Sequence, residues 1–344
     1  MVHDTRRNVF LVFFLITVFL IGANLWGETT SYGSLSSTTT PTVYVTGRYH
    51  DSTDWVPCYW KGTKKIDLDF RRSSPKNTNF AEANAIVSSG GILYIMGYYE
   101  VGGPRFQCYW TGDVRTDLSY EKNAQPSCLT VSDGIIYSVG ESDNGPCYWK
   151  GGVRTDLMNE KKAIAGSITV SDGIVYTAGF YYNNNPGPYN IVPCYWTGTK
   201  RTDLPCGKFG QVHSITVSDG VVYTAGRNNS NGYIACYWTG TTRTDLPGER
   251  GMVLSIAVSG GTVYTAGCCE GKPGKSLPCY WEGTKRIELP GDGVVNSIVV
   301  SGGAVYTAGY VYNGDRNVPC YWKGKKRIDL PCVNFGWANS IYIQ

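Results

Sequence analysis

The tripeptide Cys-Tyr-Trp occurs seven times, beginning at Cys58, Cys108, Cys147, Cys194, Cys236, Cys279 and Cys320. Successive copies stand 39 to 50 residues apart, the length of one small supersecondary unit. A chain written this way stacks like units, each burying the face of its neighbour, and so forms one large domain rather than several.

Residues 296–330 show the unit most clearly. Four short apolar or alternating runs, Asn-Ser-Ile-Val-Val-Ser, Ala-Val-Tyr-Thr-Ala-Gly, Pro-Cys-Tyr-Trp and Lys-Arg-Ile-Asp-Leu, are separated by turn residues. That is the signature of a four-stranded antiparallel meander. The first turn is Asp133-Gly134, Asp172-Gly173 or Asp219-Gly220, with Gly pairs in other copies; such dipeptides accept positive φ at both positions and close a two-residue hairpin. The third turn carries a glycine four residues after each repeated cysteine, from Gly62 to Gly324, and is also short. The connection between the second and third strands varies in length, as does the one leading to the next repeat. In a meander both variable connections emerge at one edge and both tight turns at the other.

The ends of the repeat region complete the pattern. Val43–Gly47 matches a second strand, and Asn339–Ile343 matches a first strand. If the last strand enters the first blade, seven units close into a ring and no sheet is left unfinished. The expected fold is therefore all-β, a seven-bladed β-propeller of four-stranded antiparallel blades over residues 42–344. Forty-three Gly, 26 Tyr and 10 Trp beside four Met agree with strands and turns rather than helices. In period, strand count and closure the chain resembles Trp-Asp-repeat and kelch-type propellers, and it is similar to secreted bacterial tandem-repeat proteins. It lacks the Trp-Asp dipeptide, the kelch double-Gly pattern and the sialidase Asp box, so the resemblance implies a fold and no activity.

Residues 1–27 differ from the rest: Arg6 and Arg7 precede an apolar run from Val9 to Ala23. This reads as a signal peptide or an N-terminal membrane anchor, with membrane attachment through residues 9–26 in the second case. The expected location is exported: periplasmic, cell-surface or extracellular. Residues 28–41 are Ser/Thr-rich and read as a linker.

The repeated residues themselves point to packing. Alternation places Cys and Trp on one face of the third strand and Tyr on the other, so the seven Trp fill the space between blades. The outer strand repeats a cation and an acid two residues apart, as in Arg115-Thr116-Asp117, which suits a solvated rim. Seven of the twelve Cys hold the same place in different blades, too far apart to be bridged. Cys268 or Cys269, however, can approach Cys279 across a hairpin. The three His (His3, His50 and His213) are scattered and no Cys-x-x-Cys occurs; no metal site, cofactor or catalytic residue is assigned. A net charge of +4 gives no footprint for nucleic acid.

The variable edge is where binding residues are expected, since loops on a rigid scaffold carry function. Its candidate ligand-binding residues are Tyr49, Trp55, Tyr98, Tyr99, Tyr181, Tyr182, Asn183, Tyr233, Tyr312 and Trp337, placed by the pattern on loops. Tyr, Asn and Gly give adaptable contacts at low entropic cost. The reading is a non-enzymatic binding or scaffold protein that contacts a protein or glycan. Its rivals are a polysaccharide lyase or glycoside hydrolase acting at the mouth of the central channel, and a structural surface repeat.

Overall fold

A computed structural model of the chain describes residues 41–70, 80–100, 105–118, 125–142, 144–157, 163–183, 191–229 and 232–344. The signal, anchor and linker readings of residues 1–40 lie outside the described residues. Seven four-stranded antiparallel sheets account for all the described strands. Blade 1 is built from Gly336–Ile343, Val43–His50, Trp55–Lys61 and Lys64–Asp67, in that spatial order. The last strand of the chain thus pairs with the first, with Val45 opposite Ile341. Blades 2 to 7 follow in sequence, beginning at Phe80, Gln125, Ala163, Phe209, Met252 and Gly293. The innermost strand of each blade packs against those on both sides, and the strand Gly336–Ile343 joins blade 7 to blade 2. The expected seven-bladed propeller is the fold.

The tight turns form as their residues dictate. Asp172 and Gly173 have φ of 51° and 74°, the left-handed pair a two-residue hairpin requires.

Every innermost strand carries a one-residue bulge, at Asn84, Ser127, Gly166, His213, Leu254, Asn296 and Asn339. The bulge presses a carbonyl against the neighbouring second strand, where each blade has a glycine. A Cβ on Gly179 would lie 1.8 Å from the Ile164 oxygen, and Gly47, Gly97, Gly226, Gly267 and Gly309 are placed alike. Only glycine fits there.

Bulging also turns side chains toward the next blade. Asn296 donates to the Ala338 carbonyl at 2.9 Å, and Asn339 to the Ala83 carbonyl at 3.0 Å. Beside the bulge, Ser167 accepts the backbone N–H of Ile215 at 3.2 Å, and Ser214, Ser255 and Ser297 accept those of Ile256, Ile298 and Ile341. These bonds satisfy backbone C=O and N–H groups on a sheet edge that no strand covers.

The Cys-Tyr-Trp strand is the packing element. Its cysteines are fully buried and its tryptophans at most 2% exposed, which leaves no surface on those rings for a sugar. Trp60, Trp110, Trp238 and Trp281 donate their indole N–H to the carbonyls of Pro331, Asp69, Pro205 and Pro247, each just past the outer strand of the preceding blade. On the outer strands, the cation and acid two residues apart pair in all seven blades.

His213 stands where Asn296 and Asn339 stand, but its Nε2 is buried without a hydrogen-bond partner. Burial, assisted by Arg227, lowers its pKa from 6.5 to about 4.

Two predictions follow from these contacts. Gly179→Ala will destabilise the fold by at least about 2 kcal/mol in denaturant unfolding, because backbone must move to admit the methyl; an unchanged midpoint contradicts the close approach. For His213, the unfolded chain binds a proton below pH 6.5 that the folded chain refuses down to about pH 4. Stability is therefore full above pH 6.5 and falls through that window, by up to about 3 kcal/mol. His213→Asn will flatten that part of the pH profile of thermal unfolding.

Candidate functional site

The second and third strands run further toward the variable edge than the turn pattern indicates. Tyr49, Trp55, Tyr98, Tyr99, Tyr181, Tyr182, Tyr233, Tyr312 and Trp337 all lie within strands, and of the ten candidates Asn183 alone lies on a loop. This corrects the expected placement. Its cause is continued hairpin pairing, with His50 opposite Trp55 and Tyr312 opposite Asn317, supported by aromatic residues that suit a pleated surface.

Once on strands, the candidates separate by side-chain direction. Tyr49, Tyr99 and Tyr181 occupy one repeated position and are buried. Their hydroxyls donate to Asp67, Asp117 and Asp203 of the outer strand at 3.0 to 3.2 Å. Over their rings sit Lys65, Arg115 and Arg201, a cation–π contact. Burial and the carboxylates push the Tyr49 and Tyr181 hydroxyls above the ordinary tyrosine range. Tyr98 is also buried, stacked on Phe80 and donating to Glu82 at 3.0 Å. These four tyrosines tie strands together. Tyr182, Asn183, Tyr233 and Tyr312 are exposed and are spread over blades 4, 5 and 7.

Trp55 and Trp337 do converge. At the variable edge of blade 1 they meet at 5.0 Å between ring centres, joined by Phe335 at 5.1 Å from Trp55 and Phe80 at 5.9 Å. His50 stacks on Phe335 at 5.0 Å and meets Trp55 edge-on at 5.2 Å. All five rings are partly exposed. Arg48 lies beneath them, its guanidinium 4.8, 4.7 and 5.1 Å from the rings of Trp55, Phe80 and Trp337. It pairs with Glu82 of blade 2 at 2.8 Å. Glu82 also accepts from Tyr98 and from Asn339 at 2.8 Å.

The arrangement therefore has a fixed base and an accessible top. The carboxylate of Glu82 takes three donors, Arg48 is held between that carboxylate and three rings, and the outer ring surfaces face the solvent side. An aromatic surface so fixed can take an apolar side chain or the C–H face of a sugar ring at little entropic cost.

Of these residues, Trp55 and Trp337 were legible as candidates. Arg48, His50, Phe80 and Glu82 were not, because their positions vary from blade to blade. Arg48 aligns with Tyr98, Glu141, Phe180, Arg227, Cys268 and Tyr310, and Phe80 aligns with Phe209 and Phe335 but with Arg250 and Asp292 in blades 6 and 7.

A second concavity on the same edge, a cleft of about 700 Å³, lies between blades 6 and 7. It is lined by the segment Gly271–Leu277, Asp292 and Tyr312, among others. Lys275 reaches Asp292 at 3.8 Å. Among the described residues no group of His, Cys, Asp and Glu is placed to hold a metal ion.

Comparison with known proteins adds the fold and little else. No family model matches the chain, and no curated protein does. Among solved structures, the chain is similar to a puromycin-hydrolysing peptidase of Mycobacterium tuberculosis, with 10% identity and a TM-score of 0.51 over 84% of this chain and 53% of that one. It also matches the acylaminoacyl peptidase of Pyrococcus horikoshii at 12% identity and a TM-score of 0.48, over 73% of this chain and 46% of the peptidase. TolB from Acinetobacter baumannii matches at 10% identity and 0.48, over 87% and 82%. The chain spans about half the length of the two peptidases. At such identities the likeness is one of architecture.

The seam contacts can be weighed directly. A double-mutant cycle of Arg48→Met and Glu82→Gln, read by chemical unfolding, should return a coupling of about 2 kcal/mol, since the pair is partly buried and hydrogen-bonded. Additive effects would show that the ion pair is incidental to ring closure.

Proposed function

We propose that this chain is an exported, non-enzymatic propeller that binds a protein or glycan through its variable edge, with the blade 1 aromatic patch as the principal contact. Export is inferred from the basic start and apolar run of residues 1–27. The observation that supports the binding reading is the convergence of His50, Trp55, Phe80, Phe335 and Trp337 on one rigid, partly exposed surface. Aromatic clusters of this kind, backed by an arginine, are the usual energetic centres of contact surfaces. The exposed Tyr182, Tyr233 and Tyr312 lie around the same edge and would extend the contact for a partner wide enough to span several blades.

The catalytic alternative has less to support it. The carboxylate that pairs with Arg48 against the aromatic patch, Glu82, is already bound by Arg48, Tyr98 and Asn339, an arrangement suited to holding strands rather than to shuttling a proton.

The full chain should capture a ligand from a glycan array or a pull-down from surface extracts. Trp55→Ala should weaken that capture at least tenfold, about 1.4 kcal/mol, while an unfolding curve shows the ring intact. Undiminished binding would remove the site from blade 1. Absence of any ligand, together with self-association in the ultracentrifuge, would favour a structural surface repeat.

A further inference from the structure

Among the twelve cysteines, all present as thiols, one pair is set apart by geometry. Cys269, on the second strand of blade 6, has its Sγ 3.6 Å from that of Cys279 on the third strand. Cys279 is the repeated cysteine, fully buried like its six counterparts. Cys269 is the unusual partner: its position is held by Tyr49, Tyr99 and Tyr181 in blades 1, 2 and 4, and by Val311 in blade 7. Cys332 lies near Cys58 and Cys206 near Cys236, but each of these reaches in from the end of the preceding blade, whereas Cys269 and Cys279 belong to one hairpin. Cys268, the neighbour in sequence, sits opposite Pro278 on the strand's other face.

The surroundings are built to the shape of this sulfur. Gly248 and Gly251 approach it so closely that a Cβ on either would stand 2.4 and 3.3 Å from it. Arg286 of the outer strand lies against the same sulfur and pairs with Glu288 at 2.6 Å. The hydrogen bond from Cys279 and the guanidinium together hold the Cys269 thiol below its ordinary range despite its burial, while the Cys279 thiol is pushed up.

We propose that Cys269 and Cys279 form a disulfide-forming dithiol, a covalent modification site that pins the second and third strands of blade 6 together. The co-reactant is a small-molecule disulfide of the glutathione class. In the open hairpin the thiolate of one cysteine attacks one of its sulfurs and expels one thiolate, which takes up a proton. The other cysteine, losing its own proton, then attacks the mixed disulfide at the first and expels the second thiolate, which is protonated in turn. Two protein thiols and one disulfide become one protein disulfide and two small thiols, so electrons and protons balance. Bringing the sulfurs from 3.6 Å to bonding distance takes roughly 1.5 Å, shared between two side chains. Because Cys269 is 2% exposed and Cys279 0%, exchange takes place while the hairpin is still open, during folding, and the finished bridge is shielded from reductants. The closed loop contains Lys272 and Lys275, which line the cleft between blades 6 and 7, so the bridge would also hold that wall of the cleft in place. The inference does not rest on the binding role proposed for blade 1.

The test is peptide mapping of the full chain refolded with reduced and oxidised glutathione, then alkylated in denaturant. Trypsin separates residues 251–275, with Cys268 and Cys269, from residues 276–285, with Cys279. The expected product is these two peptides joined, with the other cysteines alkylated, and a melting temperature that drops when reductant is present throughout refolding. Cys269→Val, a side chain that blade 7 accommodates at Val311, should fold, lose the joined peptide and lose the reductant dependence. Cys268→Ser should keep both. Complete alkylation of all twelve cysteines, or a joined peptide that survives Cys269→Val, would overturn the proposal.

Discussion

Seven sheets meet around one axis, and the strand nearest that axis in each has a backbone edge that no other strand covers. The rest of the structure depends on how that edge is satisfied. Each innermost strand bulges by one residue, and at the bulge or just after it Asn296 and Asn339 bond carbonyls of the next blade while Ser167, Ser214, Ser255 and Ser297 take up its backbone N–H groups. Satisfying buried backbone groups is close to obligatory, so the same device recurs around the ring. The glycine in the second strand, at Gly47, Gly97, Gly179, Gly226, Gly267 and Gly309, is its counterpart, since the displaced carbonyl leaves no room for a side chain.

Outside this inner ring, the tryptophans of Cys-Tyr-Trp carry the next layer of contacts. Each buries a large apolar area between blades, and four of them donate to a carbonyl just past the preceding blade's outer strand. A large buried aromatic with a polar handle fills volume and sets register at once. The outermost strands are short and charged, and their ion pairs, being exposed, keep the rim solvated more than they stabilise it.

Blade 1 differs because it is assembled from the two ends of the described chain. Its strands Gly336–Ile343 and Val43–His50 close the circle, and it is where they meet blade 2 that Arg48, Asn339, Glu82 and the five clustered rings occur. A seam made from distant segments has no covalent connection to hold it, and specific side chains take over that task. The same contacts leave ring surface exposed at the variable edge, so closure and the proposed binding surface draw on one set of residues.

Much of this was written in the order of residues. The period, the Asp-Gly and Gly-Gly turns and the half-units at the two ends of the repeat region determined blade count, strand count and the mode of closure, because hairpin turns and strand alternation are local properties. The burial of Cys and Trp followed from alternation on a doubly covered strand. Tertiary structure decided what local pattern cannot express. Tyr49, Tyr99 and Tyr181 have the composition of loop contacts, yet they turn inward because an outer-strand carboxylate lies within reach of each hydroxyl. Trp55 and Trp337, nearly three hundred residues apart in sequence, become neighbours only when the ring closes, and Cys269 finds Cys279 only through the hairpin register. Which residues repeat is a property of the sequence, whereas which exceptions to the repeat meet one another is decided by packing across blades.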